Sequence, residues 1–221
     1  MRAFLERGRY LSVHEMATER AVVMGRTAEE ELRDHQGVFY LRRVLFDRSF
    51  VDGERFLYGA LNIGGSGVDY GVFCIVLASN ATNAESTAYL PGNSLDRYVR
   101  PAVVLALDAV ALCREVATVA QRHNVAVLKH GDDITVNEAA AWASMLCSGE
   151  CFVEAIFVGD ITPNRIGEYR LKQDEMLRLN DLAFDVLRGK LNLKDASELQ
   201  DFEDCIKSMK DLGLVVREKE V

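Results

Sequence analysis

The chain has 221 residues, of which 49% are hydrophobic and 27% are charged, and its formal net charge at pH 7 is -8. This composition is typical of a globular protein that buries a sizeable core, and the negative charge argues against nucleic-acid binding. No run of about 18 uncharged apolar residues predicts a membrane span, and the N-terminus lacks the apolar segment of a signal peptide. We expect a cytoplasmic protein, or one delivered into a cytosol without a cleaved signal peptide.

The cysteines do not predict a disulfide framework or a metal site. The chain has five of them, scattered along its length. Cys147 and Cys151 lie four residues apart, but no second Cys or His pair follows at the spacing that zinc sites use. We therefore predict no bound metal.

The first elements of the chain are a predicted strand at residues 10–13 and a helical segment at residues 15–33. Thr27 and Glu30 have the spacing of a capping box, so we expect the helix to break and restart there. Residues 37–41 are predicted to be extended.

The middle of the chain has two strand-like runs, residues 56–63 and 69–77. The glycine-rich residues 64–67 lie between them and predict a hairpin. Residues 86–90 are a further strand, and apolar residues at helical spacing predict an amphipathic helix over residues 101–122.

The next segment is predicted to begin with a strand at residues 125–129. Thr135 and Glu138 repeat the capping-box spacing, so we expect a helix that runs from there to about Cys147.

Residues 151–161 form the most informative stretch, a strand with two apolar faces of which one is interrupted by Glu154. A strand that is apolar on both sides is usually covered on both sides. An unpaired buried carboxylate costs several kcal/mol, so it needs a partner, a shifted pKa or a cleft. Glu154 is therefore the first candidate for a catalytic residue. The alternative is a solvent-facing edge position or a structural ion pair with an arginine.

The end of the chain has a turn at residues 162–164, a strand at residues 166–171 and then two helices in a charged tail. Short turns between strands, with helices inserted, predict an α+β fold with antiparallel pairing. We expect residues 1–171 to form one domain and residues 172–221 to form a helical C-terminal extension that packs on it.

Other candidate functional residues lie at the ends and inside these strands. His14 follows the first strand, a common place for a ligand-binding side chain, although a surface histidine is the alternative. Gly59 lies inside a strand, which often marks close backbone approach, although a bulge would explain it equally. Ser86, Thr87 and Tyr89 place two hydroxyls near an aromatic ring, a pattern that β-propensity also explains.

Three segments in order resemble the ADP-ribosyltransferase superfamily. Residues 8–14 are similar to its opening strand with Arg or His, and residues 86–88 are similar to the Ser-Thr-Ser strand of some members. Residues 152–158, followed by Gly-Asp-Ile-Thr-Pro, resemble the strand that carries the catalytic glutamate. A bacterial family of uncharacterised proteins grouped with these transferases shares further short strings, which are matched here by residues 8–12, 58–62, 153–155, Thr87 and Tyr89. The resemblance spans about residues 8–171.

This resemblance implies a split antiparallel sheet, NAD as a substrate and Glu154 as the catalytic carboxylate. The residues that it implies for NAD binding are Arg9, Ser12, His14, Tyr58, Gly59, Ser86, Thr87 and Tyr89. Either Arg9 or His14 could hold the dinucleotide, and both assignments stay open. The implied activity is mono-ADP-ribosyl transfer to a protein, such as ubiquitin of a host cell, by a secreted bacterial toxin or effector.

The chain also departs from the family pattern. Phe152 stands two residues before Glu154, where arginine-modifying members have Glu or Gln, which argues against arginine as the acceptor. Glu15 follows His14, where the family has paired glycines. A NAD glycohydrolase is one alternative, and a degenerate relative kept as a protein-binding module is the other. Neither nucleic acid nor a membrane is expected as a partner.

Overall fold

The computed structural model of the protein describes residues 2–61, 73–83, 85–100, 105–136, 138, 152–189, 193–211 and 216–219. These residues fall into two compact units. We call Leu11–Ile63 with Thr82–Asp160 the larger unit, and Met1–Tyr10 with Gly64–Ala81 and Ile161–Val221 the smaller unit. Among the residues that are described, no helix is both long and apolar enough to cross a membrane.

The protein combines helices with small, mainly antiparallel sheets, which confirms the predicted α+β class. The described helices are α1 (Arg2–Arg7), α2 (Val13–Met24), α3 (Ala28–Gln36), α4 (Tyr40–Arg48), α5 (Ser94–Tyr98), α6 (Ala109–Glu115), α7 (Arg122–Val136), α8 (Gln173–Leu187) and α9 (Leu193–Asp211). The described strands are β1 (Phe56–Ala60), β2 (Phe73–Leu77), β3 (Thr87–Leu90), β4 (Val99–Arg100), β5 (Ala106–Leu107), β6 (Glu154–Val158), β7 (Ile166–Lys172) and β8 (Val216–Lys219). The transferase-like arrangement of these strands stays a prediction.

The main sheet of the larger unit has three antiparallel strands, with β6 between β1 and β3. The register places Glu154 opposite Ala60 on one side and opposite Leu90 on the other. Because side chains alternate along a strand, Glu154 shares its face of the sheet with Ile156 and Tyr58. The sequence predicted all three strands.

Both faces of this sheet are covered, as the apolar pattern of β6 predicts. Residues from α4, α5 and α6 pack on the face that carries Glu154, in a cluster of Phe46, Phe56, Leu90, Leu95, Tyr98, Val99, Leu112 and Ile156. The opposite face packs against the start of α7, in a cluster of Tyr89, Ala117, Val125, Ala126 and Val153. The carboxylate of Glu154 therefore lies in the interior of the larger unit.

Capping boxes set the starts of the first two helices of the larger unit. The Ser12 side chain accepts the Glu15 N–H at 3.2 Å, and the Glu15 carboxylate accepts the Ser12 N–H at 2.9 Å. Thr27 and Glu30 form the second box and open α3, which confirms the predicted break and restart. The strand predicted at residues 10–13 is wrong, because this box makes Ser12 the cap of a helix.

The extended segment predicted at residues 37–41 is also wrong. Gly37–Phe39 form a 3₁₀ turn, and α4 follows directly. Tyr40, Arg43 and Phe46 recur at helical spacing and are buried on one side of α4. The packing of this face decides the conformation, and two of the three residues are aromatic, which misled the sequence interpretation.

Two predictions around α6 and α7 are wrong for a related reason. A single helix was predicted over residues 101–122, but Ala106 and Leu107 form strand β5. α6 begins after this strand, where the Asp108 side chain accepts the Ala111 N–H at 3.0 Å. Residues 125–129 lie inside α7 instead of forming a strand. Val125 packs in the core beneath the sheet, so tertiary contact overrides the β-propensity of a valine-rich stretch.

The remaining corrections concern long-range pairing. β1 pairs with β6 and β2 pairs with β7, so the hairpin predicted between residues 56–63 and 69–77 is wrong. Its glycine-rich turn lies outside the described residues. Thr135 lies within α7, so it does not cap a new helix, and the helix predicted up to Cys147 lies outside the described residues.

The smaller unit is built on a second three-stranded sheet, with β7 between β2 and β8. β2 and β7 are antiparallel, whereas β7 and β8 are parallel, and the sequence did not predict β8. Its core contains Phe4, Ile166, Tyr169, Cys205 and Met209. The two helices predicted in the tail are confirmed as α8 and α9, and they belong to this unit.

Candidate functional site

Glu154 begins the central strand β6, and only 4% of its surface is exposed. Its Oε2 accepts the backbone N–H of Ser94 at 2.9 Å, at the start of α5. Burial raises the pKa of Glu154 above its ordinary value. Hydrogen bonding from Ser94 and the positive charge of Arg43 oppose this shift, whereas the negative charge of Asp47 adds to it. The carboxylate is thus held in a dry environment that favours its protonated form.

A second buried carboxylate, Asp47 on α4, is fully enclosed and has three partners. Its Oδ2 is hydrogen-bonded to Nε2 of His14 at 2.8 Å, and its Oδ1 accepts the hydroxyl of Tyr58. The guanidinium of Arg43 lies one helical turn away, with Nη1 at 3.5 Å from Oδ1. Arg43 also stacks over the Tyr58 ring, with Cζ 3.7 Å from its centroid. Asp47 therefore joins α2, α4 and β1.

The two carboxylates belong to one electrostatic group. Arg43 and Asp47 both act on the protonation of Glu154, and burial, Asp47 and Glu154 together raise the pKa of the Tyr58 hydroxyl. We call this group the buried polar cluster: His14, Arg43, Asp47, Tyr58, Ser94 and Glu154. Ionised groups are almost never buried without partners, and perturbed carboxylates concentrate at functional sites, so this cluster is the candidate site of the larger unit. Glu154 and Asp47 are two acids beside one fixed cation, Arg43. Such acids can hold a proton or stabilise a positive charge that develops in a substrate.

Local structure holds His14 and Asp47 in place. The hydroxyl of Ser12 donates to the carbonyl of Glu54 at 2.7 Å, which attaches the first turn of α2 to the turn before β1. Gly53 lies in that turn, and a Cβ there would lie 1.8 Å from the carbonyl oxygen of Asp47. No side chain fits at that distance. The close approach of the two backbones thus requires glycine at residue 53.

The structure brings several sequence-predicted residues together. His14 and Tyr58 meet at Asp47, and Glu154 is close enough to Tyr58 to influence its ionisation. Ser12 is 1% exposed and supports the helix turn that carries His14. Residues that are distant in the sequence are therefore neighbours in one buried layer.

Other predicted residues lie elsewhere. Thr87 and Tyr89 alternate with Leu90 and so project from the face of the sheet opposite Glu154, and the Cβ direction of Gly59 in β1 also points away from that carboxylate. Ser86 closes a turn, with its hydroxyl donating to Asn83 at 2.9 Å. Arg9 belongs to the smaller unit.

Sequence reasoning missed Arg43, Asp47 and Ser94. Arg43 and Asp47 have the i, i+4 spacing of a helical ion pair, and this signal was present in a segment interpreted as extended or unassigned. Ser94 follows Asn93, whose side chain caps α5 by accepting the Leu95 N–H at 3.0 Å. Asn is a common helix cap, so a short helix was predictable there, although its contact with Glu154 was not.

The larger and the smaller unit each have a surface depression among the described residues. In the larger unit, a cleft of about 310 Å³ is lined by Arg97, Tyr98, Arg100, Ala111 and Glu115. It lies at the end of α5, the short helix whose first residue binds Glu154. In the smaller unit, a groove of about 450 Å³ runs between α8 and α9, and its lining includes Leu179, Phe202, Ile206, Lys207 and Lys210.

Comparison with known proteins adds no relative. No protein-family model matches the chain, and no curated protein matches it with significance. A functional assignment therefore depends on the chemistry of the buried polar cluster.

Proposed function

We propose that this chain is a mono-ADP-ribosyltransferase that takes ADP-ribose from NAD and transfers it to a protein, with Glu154 as the catalytic carboxylate. The observation that carries the proposal is the position of Glu154 on the central strand, 4% exposed and within the electrostatic reach of Arg43, Asp47 and Tyr58. The resemblance of the strand to the glutamate strand of the transferases supports the same assignment.

Cleavage of the bond between ribose and nicotinamide is assisted by a negative charge in a site that excludes water. When the bond between ribose C1 and the nicotinamide nitrogen breaks, its electron pair goes to the nitrogen and positive charge develops on the sugar. Glu154 would stabilise that charge in its ionised form, and a positive charge that develops beside it favours this form over the protonated one. The interaction is strong because water is excluded and screens it little. The acceptor oxygen then forms a bond to C1 and loses its proton.

The proposal includes the partners that the resemblance implies. NAD is the substrate, and the acceptor is a protein, for which host ubiquitin is one candidate. Activity of this kind would make the chain a bacterial toxin or effector that works in a host cytosol. The proposal puts the dinucleotide beside the segment that covers Glu154, and the cleft at the end of α5 adjoins that segment.

The first experiment incubates the chain with cell lysate and NAD labelled in the adenylate phosphate. We expect label in protein with the wild-type chain. With Glu154→Gln we expect transfer slower by about 10²–10³-fold, the loss typical of removing one preorganised charge-stabilising group. Glu85→Gln is the matched control, because Glu85 is exposed. Undiminished transfer with Glu154→Gln would reject Glu154 as the catalytic residue.

Two further measurements separate the alternatives. Calorimetric titration with NAD detects binding, and its absence would indicate a degenerate relative that serves as a protein-binding module. Release of nicotinamide without any protein acceptor, at the rate found with lysate, would indicate a NAD glycohydrolase in which water is the acceptor. Release that accelerates when lysate is added supports the transferase.

A further inference from the structure

The buried polar cluster contains a carboxylate–imidazole pair besides Glu154. Asp47 is completely buried, and it is hydrogen-bonded to Nε2 of His14 at 2.8 Å. The His14 side chain keeps 12% of its surface exposed. Among the described residues its imidazole has this one hydrogen-bond partner, so Nδ1 is left for a substrate.

A carboxylate behind an imidazole fixes which ring nitrogen carries the hydrogen. Because the Asp47 carboxylate accepts from Nε2, the neutral ring holds its hydrogen there and has its lone pair on Nδ1. Tyr58 and Arg43 occupy the other carboxylate oxygen, so Asp47 cannot turn away from His14 without breaking these contacts. In the neutral ring, Nδ1 is therefore the nitrogen that can accept a proton.

We propose that His14 and Asp47 form the general-base pair of the transfer reaction, with His14 Nδ1 taking the proton of the attacking acceptor. The inference rests on the proposed function and extends it to the acceptor, which is then a hydroxyl of a protein side chain. As the acceptor oxygen bonds to ribose C1, its O–H bond breaks and the proton moves to Nδ1. The C1–nitrogen bond breaks, and nicotinamide leaves with the electron pair.

The surroundings of His14 suit this role. The charged and titratable groups that face it are Asp47 on α4, Glu54 in the turn before β1 and, through Asp47, Arg43 and Tyr58. The Asp47 carboxylate lies 2.8 Å from Nε2 and keeps this hydrogen bond when Nδ1 takes the proton. Glu154 supplies charge stabilisation to the sugar, so the two acids of the cluster have separate tasks.

The kinetic test compares wild type with His14→Gln, which keeps an N–H donor for Asp47 but cannot accept a proton. We expect kcat for label transfer to fall about 10²–10⁴-fold, the usual contribution of a general base. KM for NAD should stay within about threefold, since a base acts on the acceptor in the transition state. His35→Gln, on an exposed histidine at the end of α3, is the matched control and should be without effect.

The outcomes distinguish this inference from the proposed function. If the wild-type chain neither transfers the label nor cleaves NAD, the proposed function and the general-base role of His14 are both overturned. Active wild type with unchanged kcat in His14→Gln overturns the general-base role alone, and a raised KM with unchanged kcat would assign His14 to holding NAD instead.

A spectroscopic test does not depend on activity. Two-dimensional ¹H–¹⁵N spectra of the imidazole should show a single Nε2–H tautomer for His14 in wild type and a mixture in Asp47→Asn. An Nδ1–H tautomer in wild type would overturn the assignment, because the lone pair would then face Asp47.

Discussion

Removal of the Asp47 carboxylate tests whether the buried polar cluster is organised as described. Asp47→Ala leaves the Tyr58 hydroxyl and His14 Nε2 without the partner that each now has, and it removes the carboxylate that pairs with the buried guanidinium of Arg43. Each unsatisfied group costs about 1–3 kcal/mol, and breaking a buried ion pair from one side costs about 3–5 kcal/mol. We expect a loss of about 3–5 kcal/mol, a large part of the roughly 5–15 kcal/mol that keeps a domain folded.

The assay is urea unfolding followed by circular dichroism, with the midpoint and slope fitted for each variant. Asp96→Ala is the matched control, because Asp96 pairs with the neighbouring arginine of α4, Arg42, at 3.0 Å but is 57% exposed. An exposed pair contributes about 0–1 kcal/mol, so this variant should unfold almost as wild type does. Since the chain has two units, any separate transition of the smaller unit should not move.

The double variant Asp47→Ala with Arg43→Met completes the cycle. Removing both charges should be less destabilising than removing Asp47 alone, because the guanidinium that has lost this carboxylate is removed as well. A loss below about 1 kcal/mol for Asp47→Ala, or one equal to that of Asp96→Ala, would refute the reasoning. It would mean that water reaches the cluster and replaces the lost contacts.

Three further predictions concern single positions. Gly53→Ala should destabilise the chain by about 1–3 kcal/mol or more in the same urea assay. Gly59→Ala is the control, because a Cβ at Gly59 meets nothing within 4 Å. Equal effects of the two substitutions would exclude the close approach of Gly53 to the Asp47 carbonyl. Folding raises the pKa of Glu154, so the folded state loses stability as pH rises from the ordinary carboxyl pKa through the raised one. Glutamine cannot ionise and has no such loss. Glu154→Gln should therefore be more stable than wild type at neutral pH and equal to it in acid. A stability difference that grows towards acid pH would contradict the direction of the shift. Because Glu154 is 4% exposed beneath the Ser94 amide, the proposed function requires NAD to displace that segment. Hydrogen exchange of the Ser94 amide should then accelerate when NAD is added, and unchanged protection would contradict binding of NAD at Glu154.

Local signals in the sequence predicted the parts of the fold that depend on neighbours in the chain. The Thr27–Glu30 capping box acts within four residues, and its prediction is confirmed. The two apolar faces of residues 151–161 predicted a strand covered on both sides, and β6 is such a strand. The helices of the tail were visible because their apolar spacing is regular over several turns.

Predictions failed where a distant contact decides the structure. β1 pairs with β6 instead of with β2 because their apolar faces together cover the core. The glycine-rich residues 64–67 indicate a turn but do not show which strands pair. Residues 125–129 have the composition of a strand, yet they lie in α7, which packs on the main sheet through Val125 and Ala126. The sequence interpretation was wrong about strand pairing in the first case and about conformation in the second.

The candidate site shows the same division. Glu154 was predictable because a lone carboxylate in an apolar strand violates a simple rule, whereas Asp47 was hidden in a segment whose helical spacing was not recognised. Ser94 could not be found at all, since its importance comes from a backbone N–H that faces a residue on another strand. Every residue except proline has a backbone N–H, so the residue type does not indicate which N–H will bind a carboxylate.

The two buried acids differ in how completely their charges are compensated. Asp47 binds His14, Tyr58 and Arg43, and these contacts account for its burial as a joint between helices and sheet. Glu154 has Ser94 as its hydrogen-bond partner among the described residues, and its pKa is raised, so its charge is poorly compensated where it lies. A carboxylate can accept about four hydrogen bonds, and an apolar side chain at residue 154 would fit the rest of the strand at no such cost. The fold alone does not require an acid at residue 154, whereas the proposed reaction, which generates positive charge, does.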